Sequence, residues 1–166
     1  GINLIFKKYP KICLTFIFIC LIFSQISFWP KYKLYAKDYS SSWQYGYKEV
    51  ALYIKNKYSE YDQIIFTKKY GEPHEFLLFY LNWDPNKFQN DKAKIWDYHA
   101  NWYWVDGFDK FKFVNDWEIQ EKTKNLDPTK KTLLITSPNN YNQSNQILNT
   151  IYFLYDSPAF QILEIK

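Results

Sequence analysis

The chain has 166 residues and a formal net charge of +4, from 21 lysines and no arginine against 17 acids. Eighteen of those lysines and every acid lie after Pro30, so that part is near neutral and lacks the basic face that nucleic acid requires. Both cysteines, Cys13 and Cys20, fall in the apolar segment before Pro30, which excludes disulfides and thiol chemistry from the rest.

The first element is an uncharged apolar run, Ile12 to Trp29. At about 1.5 Å per residue it reaches about 27 Å, close to the thickness of a bilayer core. Its polar side chains are only Thr15, Ser24, Gln25 and Ser27, which membrane helices tolerate. Lys7, Lys8 and Lys11 would suit a signal peptide, but Ser27-Phe28-Trp29-Pro30 offers no small-x-small cleavage pair. Tyr9 and Phe28-Trp29 stand at the two edges, as interfacial aromatics do. A membrane span over residues 1–30 with its flanks is therefore expected, with membrane lipid as its partner. Lys31, Lys33 and Lys37 balance the lysines at the other end, so charge does not orient it. Gly1 in place of an initiating methionine, and no Met elsewhere, suggest a piece of a longer protein.

Residues 31–43 read as a polar linker ending in Ser40-Ser41-Ser42, good helix caps. Residues 44–166 then form one soluble domain, and about 135 residues beyond the span suffice for a real core. A helix is predicted from Trp43 to Tyr58, with Tyr47, Val50, Ala51, Ile54 and Tyr58 as its apolar stripe. Gln63 to Thr67 is a short buried strand, and Pro73 opens a helix to Leu81 with Phe76, Leu77 and Tyr80 inward. Asp84-Pro85 starts another short helix, to about Phe88. Residues 91–104 crowd aromatics without a clear period, Asp106-Gly107 reads as a tight turn, and Phe111 to Val114 as a strand. Residues 115–130 read as loop, and Thr132 to Thr136 as the clearest strand. Ile151–Leu154 and Phe160–Ile165 form a terminal hairpin around Asp156-Ser157-Pro158. This order predicts an α/β sandwich with a mixed sheet, a parallel crossover and an antiparallel C-terminal β-hairpin.

The chain has no glycine-rich phosphate loop, no Gly-x-Ser-x-Gly elbow, and only His74 and His99 as histidines, so no metal site is expected. In open α/β sheets, ligands bind beyond the carboxyl ends of strands. Those ends offer Lys69, Tyr70, Glu72, His74 and Ser137, a set suited to phosphate or sugar hydroxyls. The competing reading is that Gly71 and Pro73 shape a connection and the polar groups are solvated. Trp96, Trp102 and Trp104 form a second candidate, for stacking on sugar or sitting at a membrane interface; alternatively they cover a sheet edge. Asp97 and His99, two residues apart, are a weak acid–base candidate.

Several short motifs follow one another along the chain. They are Ser41-Ser42-Trp43-Gln44-Tyr45-Gly46-Tyr47-Lys48-Glu49, Lys69-Tyr70-Gly71-Glu72-Pro73, Phe79-Tyr80-Leu81 with Asp84-Pro85, and Phe108-Asp109-Lys110-Phe111-x-Phe113. The Thr132 to Pro138 strand and Asp156-Ser157-Pro158-Ala159-Phe160 complete them. Behind an apolar helix, this order resembles the C-terminal end of prokaryotic membrane glycosyltransferases of the protein-O-mannosyltransferase-like class (family 39 type, GT-C superfamily). The resemblance implies a parent with many membrane helices that transfers sugar from a polyprenyl-phosphate carrier to a glycan or polypeptide acceptor outside the cytoplasm. It implies that the soluble domain lies on the extracytoplasmic side of the cell membrane, beside the other transferase helices. The catalytic acid of that class sits in an early loop, so no catalytic residue is expected here, and no cofactor beyond the parent's lipid-linked donor. Thr136 stands where the family usually has glycine, and Asn139-Asn140 where an acid often follows. The alternative is a single-span, membrane-anchored glycan-binding module without enzymatic activity.

Overall fold

A computed structural model describes residues 9–141 and 147–165. The chain divides into two units, one ending at Tyr39 and one running from Ser40 to Lys166.

The first unit is one helix, α1 (Pro10–Asp38). Pro10 occupies the first turn, where its missing N–H is no loss. Among the described residues this is the one helix long and apolar enough to span a membrane, and none of its side chains is buried. It continues through Pro30 to Asp38, so the segment read as a linker from residue 31 begins as helix. At about 1.5 Å per residue its 29 residues reach about 43 Å, more than a hydrocarbon core needs. The excess carries Lys31, Lys33 and Lys37, and Tyr32 stacks on both Phe28 and Trp29 at 5.8 Å. Lys33 Nζ lies 5.7 Å from the Trp29 ring centre, so aromatics and cations alternate at this end, as at a lipid–water boundary. Lys7 and Lys8 lie outside the described residues.

The second unit is a mixed seven-stranded sheet with helices on both faces. In chain order its elements are α2 (Tyr47–Lys57), β1 (Gln63–Thr67), α3 (Pro73–Tyr80), α4 (Pro85–Gln89), β2 (Ile95–His99), β3 (Trp102–Phe108) and β4 (Phe111–Val114). Then come α5 (Ile119–Lys122), β5 (Thr132–Thr136), β6 (Ile147–Tyr152) and β7 (Pro158–Ile165). The sheet order is β2-β3-β4-β1-β5-β7-β6. The central β1 runs parallel to β4 and β5, and antiparallel pairs flank this trio on both sides. The expected α/β architecture, mixed sheet and terminal hairpin are all present.

Alternation sorts the central strands onto two faces. Ile64 and Phe66 of β1, Leu133 and Ile135 of β5, and Phe160 and Ile162 of β7 meet Val50, Ala51 and Ile54 of α2 and Leu77 of α3. Ile65, Leu134, Leu163 and Ile165 point the other way, where Val114 and Ile119 join them with Leu126 and Tyr141 packed alongside. Because both faces are covered, β1 and β5 are buried along their whole length and read as continuous apolar runs.

Several local expectations are corrected. The serines do not cap α2: its N-cap is Gly46, at φ 105°, and Ser40 Oγ instead accepts the Leu154 N–H at 3.1 Å. Asp106-Gly107 is not a turn but lies inside β3. Gly107 pairs with Lys112, and a Cβ there would fall 2.7 Å from the Phe111 carbonyl oxygen, so glycine permits close strand approach. The turn beyond β3 is centred on Asp109, at φ 49°. The aromatic stretch without period is the β2–β3 hairpin, turned by Ala100 and Asn101 at φ 51° and 60°, the two successive positive values of a type I′ turn. Residues 115–130 are not all loop. Asn115 and Glu118 form a capping box, 3₁₀ structure covers Asp116–Glu118, and α5 follows. The terminal hairpin's first strand is Ile147–Tyr152, and Phe153 instead closes the turn by donating its N–H to Ser157 O at 2.8 Å.

Candidate functional site

The five loop candidates do not converge on one pocket. They separate into a hub around Asp116, a buried pair, and one ring turned into the core.

Asp116 lies beyond β4, after Asn115, and the parallel arrangement brings the carboxyl ends of β1 and β5 to it. Its carboxylate accepts from Thr67 Oγ1 at 2.7 Å and from Ser137 Oγ at 2.6 Å. Lys69 Nζ stands 3.8 Å from the same group. Asn140 Nδ2 donates to the Asp116 backbone oxygen at 2.7 Å, and Gln120 Nε2 to Asn140 O at 2.7 Å. Ser137 is therefore committed to an acid that sequence reading left in a loop, and Lys69 stands half exposed at the edge of the same group. The capping-box spacing Asn115-x-x-Glu118 was the legible signal that the segment is ordered. The hub fastens three strand ends together, and its hydroxyls are already satisfied.

Tyr70 points inward. Its ring meets Phe153 edge-on at 5.5 Å and Phe160 at 5.0 Å. Burial, then the nearby Asp116 charge, pushes its phenol up to about 12. Phe160 also meets Tyr47 at 5.2 Å and Phe66 at 5.7 Å, while Tyr47 stacks on Phe76 at 4.2 Å. A Cβ on Gly46 would fall 3.2 Å from the Phe160 ring, and one on Gly71 2.8 Å from Gln44 Nε2, with φ already at 119°. Gly46 thus answers to a close approach as well as to a positive φ, and Gly71 chiefly to its positive φ, since the end of the Gln44 side chain can move. Gln44, Gly46, Tyr47, Tyr70, Gly71 and Phe160, distant in sequence, form one constellation beside the end of β1.

Glu72 and His74 make the buried pair. His74 Nδ1 lies 3.5 Å from Glu72 Oε2, and neither atom, nor the Tyr47 hydroxyl, has a hydrogen-bond partner. Burial, helped by the charge of Lys68, holds the imidazole down at about 4, so it is neutral at pH 7. Burial raises the Glu72 carboxyl, although Lys68 works against it. Lys68 itself pairs with Asp106 of β3.

The sign of the pH effect follows from these shifts. Keeping His74 neutral contributes stability that is complete above the ordinary imidazole value of 6.5 and is lost as pH falls toward about 4. Glu72 opposes this, because a carboxyl with a raised value takes up a proton more readily when folded. After discounting for solvent screening and for Glu72, a net loss smaller than the roughly 2 kcal/mol that His74 alone would give is expected between neutral pH and about pH 5. Urea unfolding at the two pH values checks it; His74→Gln should flatten the difference, and an unchanged difference would assign it elsewhere.

The tryptophans also separate. Alternation along β3 puts Tyr103 and Val105 on one face and Trp102, Trp104 and Asp106 on the other. Trp104 lines a cleft of about 410 Å³ with Lys68, Asp106, Asn115, Glu118 and Lys122. The Lys68–Asp106 ion pair lies within it, so two of its charges are met internally. Trp102 is half exposed at the hairpin end, and Trp96 is half exposed on the opposite face. Trp96 lines a smaller cleft, about 280 Å³, with His74, Phe88, Lys94, Tyr103 and Val105. Here one residue of each candidate set, His74 and Trp96, comes together with Tyr103 of the same aromatic stretch; Phe88 and Lys94 were not anticipated as site residues. The Asp97–His99 pairing cannot be placed, because the His99 side chain lies outside the described residues. Among the described residues, no three His, Cys, Asp or Glu side chains are grouped to hold a metal ion.

Comparison with protein-family models, with curated proteins and with solved structures finds no match.

Proposed function

We propose that this chain is the carboxyl-terminal part of an integral-membrane glycosyltransferase, in which Ser40–Lys166 is an extracytoplasmic accessory domain. The sugar would come from a polyprenyl-phosphate carrier, and the chemistry would belong to membrane helices and loops other than α1. The observation that supports this most is the constellation beside the end of β1. The motif segments that carry the resemblance pack on one another there, through Gly46 and Tyr47, Tyr70 and Gly71, and Phe160. A second motif has a similar explanation. Lys110 of the Phe108-Asp109-Lys110-Phe111 turn donates to the carbonyls of Tyr58 and Tyr61, and Tyr58 donates to Asp109, so this turn is tied to the end of α2. Both groupings hold the fold together, the role that an accessory-domain reading gives these motifs.

The reading frame upstream of Gly1 is the first test. Many hydrophobic segments, with acidic residues in the first long loop, are expected; a start codon immediately before Gly1 overturns the reading. The second is an assay of this chain in proteoliposomes loaded with a polyprenyl-phosphate sugar. No transfer is expected, and sustained turnover would mean that the catalytic group lies here after all. The alternative of a single-span glycan-binding module draws on the cleft at Trp96, and a one-span reading frame would favour it.

A further inference from the structure

We propose that the cleft lined by α4 and the β2–β3 hairpin holds one pyranose ring of a glycan. The transferase reading supplies only the source of that sugar; the cleft stands on its own geometry. Its volume, about 280 Å³, lies at the small end of ligand pockets and suits a single ring with a few waters. Trp96 and Tyr103 stand 5.5 Å apart between centroids and are tilted by 45°. They remain 52% and 61% exposed, so this aromatic surface is not spent on the core. A pyranose has an apolar face of C–H bonds, and such faces lie on aromatic rings that keep a polar rim.

Two polar groups complete the lining. His74 lines the cleft but is only 9% exposed, and its Nδ1 is buried against Glu72 Oε2 at 3.5 Å, so it adds a neutral polar wall and no free donor. Lys94 Nζ donates to Phe88 O at 3.3 Å and Gln89 O at 3.2 Å and lies 4.9 Å from the Phe88 ring centre. An ammonium has three protons, so one remains for a sugar oxygen. These groups argue against a purely apolar occupant. The larger cleft on the other face carries the ion pair Lys68–Asp106, which is met internally, and offers a weaker case.

The test uses the whole chain in lipid nanodiscs, labelled on the tryptophan indoles. Methyl mannoside, methyl glucoside and methyl galactoside are titrated separately, to well above the millimolar range that a single stacked ring reaches. Saturable movement of the Trp96 signal is expected with at least one of them. Trp96→Ala should weaken that binding about three- to tenfold, while Trp96→Phe keeps most of it. Trp117→Ala, at a site 80% exposed outside the cleft, should leave it unchanged. No saturable shift with any glycoside overturns the proposal. So does movement of Trp102 without Trp96, or a Trp96 signal that follows the lipid composition of the disc and ignores the glycosides, which would make the hairpin a lipid contact. Absent binding together with a many-span reading frame removes the cleft and leaves the transferase reading. Binding together with a start codon at Gly1 does the reverse.

Discussion

Phe160→Ala should destabilise the Ser40–Lys166 unit by about 3–5 kcal/mol, a large share of the 5–15 kcal/mol that holds a typical domain. Phe160 is fully buried and touches the rings of Tyr47, Phe66 and Tyr70. Removing it opens a cavity between β7, β1 and the start of α2, and the stiff aromatic neighbours cannot collapse to fill it. Tyr47→Phe is the informative companion. The Tyr47 hydroxyl is buried without a partner, and burial raises its phenol well above the ordinary range, followed by the Glu72 and Tyr70 charges. Deleting that oxygen should leave stability unchanged or raise it by about 1 kcal/mol, because an unpartnered hydroxyl is costly to bury. Urea unfolding followed by tryptophan fluorescence measures both. A Phe160→Ala loss below about 1 kcal/mol would show that the site relaxes and that the constellation is not central.

Asp116→Ala should cost about 2–4 kcal/mol, although the residue has no apolar packing to lose. It leaves the hydroxyls of Thr67 and Ser137, residues that are 0% and 5% exposed, without their acceptor, and each orphaned group costs about 1–3 kcal/mol without strict additivity. Asp116→Asn should fall between, because the amide still offers one acceptor oxygen. A loss equal to that of a surface variant such as Glu121→Ala would mean that water replaces the carboxylate freely. Amide exchange supplies an independent readout: protection should drop at the ends of β1 and β5 while the centre of the sheet keeps its protection.

The large elements were legible because their periods are unambiguous. The stripe of α2, the buried runs of β1 and β5, and the prolines opening α3 and α4 each specify a local conformation with little help from neighbours. The β2–β3 hairpin was not legible. Its turn uses Ala100-Asn101, without the glycine that marks most such turns, and exposed aromatics on both strand faces erase the usual alternation. Gly107 pointed to the wrong turn, since glycine serves close strand approach as well as tight reversal.

The candidate site divides along the same line. Lys69, Tyr70, Glu72, His74 and Ser137 were chosen for lying beyond strand ends; Lys69, Tyr70 and Ser137 lie there, while Glu72 is the N-cap of α3 and His74 sits in its first turn. Where each side chain goes depends on what the far strands deliver: Asp116 from after β4 takes Lys69 and Ser137, and Phe160 of β7 takes Tyr70. The sequence alone determined a helix fit to span a membrane, the α/β class, the terminal hairpin and the absence of cysteine from residues 40–166, because each rests on composition or short-range period. Only the tertiary structure decided that Ser137 and Lys69 meet Asp116, that Tyr70 turns into the core, and that His74 and Trp96 share a cleft. Those outcomes depend on contacts between segments far apart in the chain, which local periodicity does not encode.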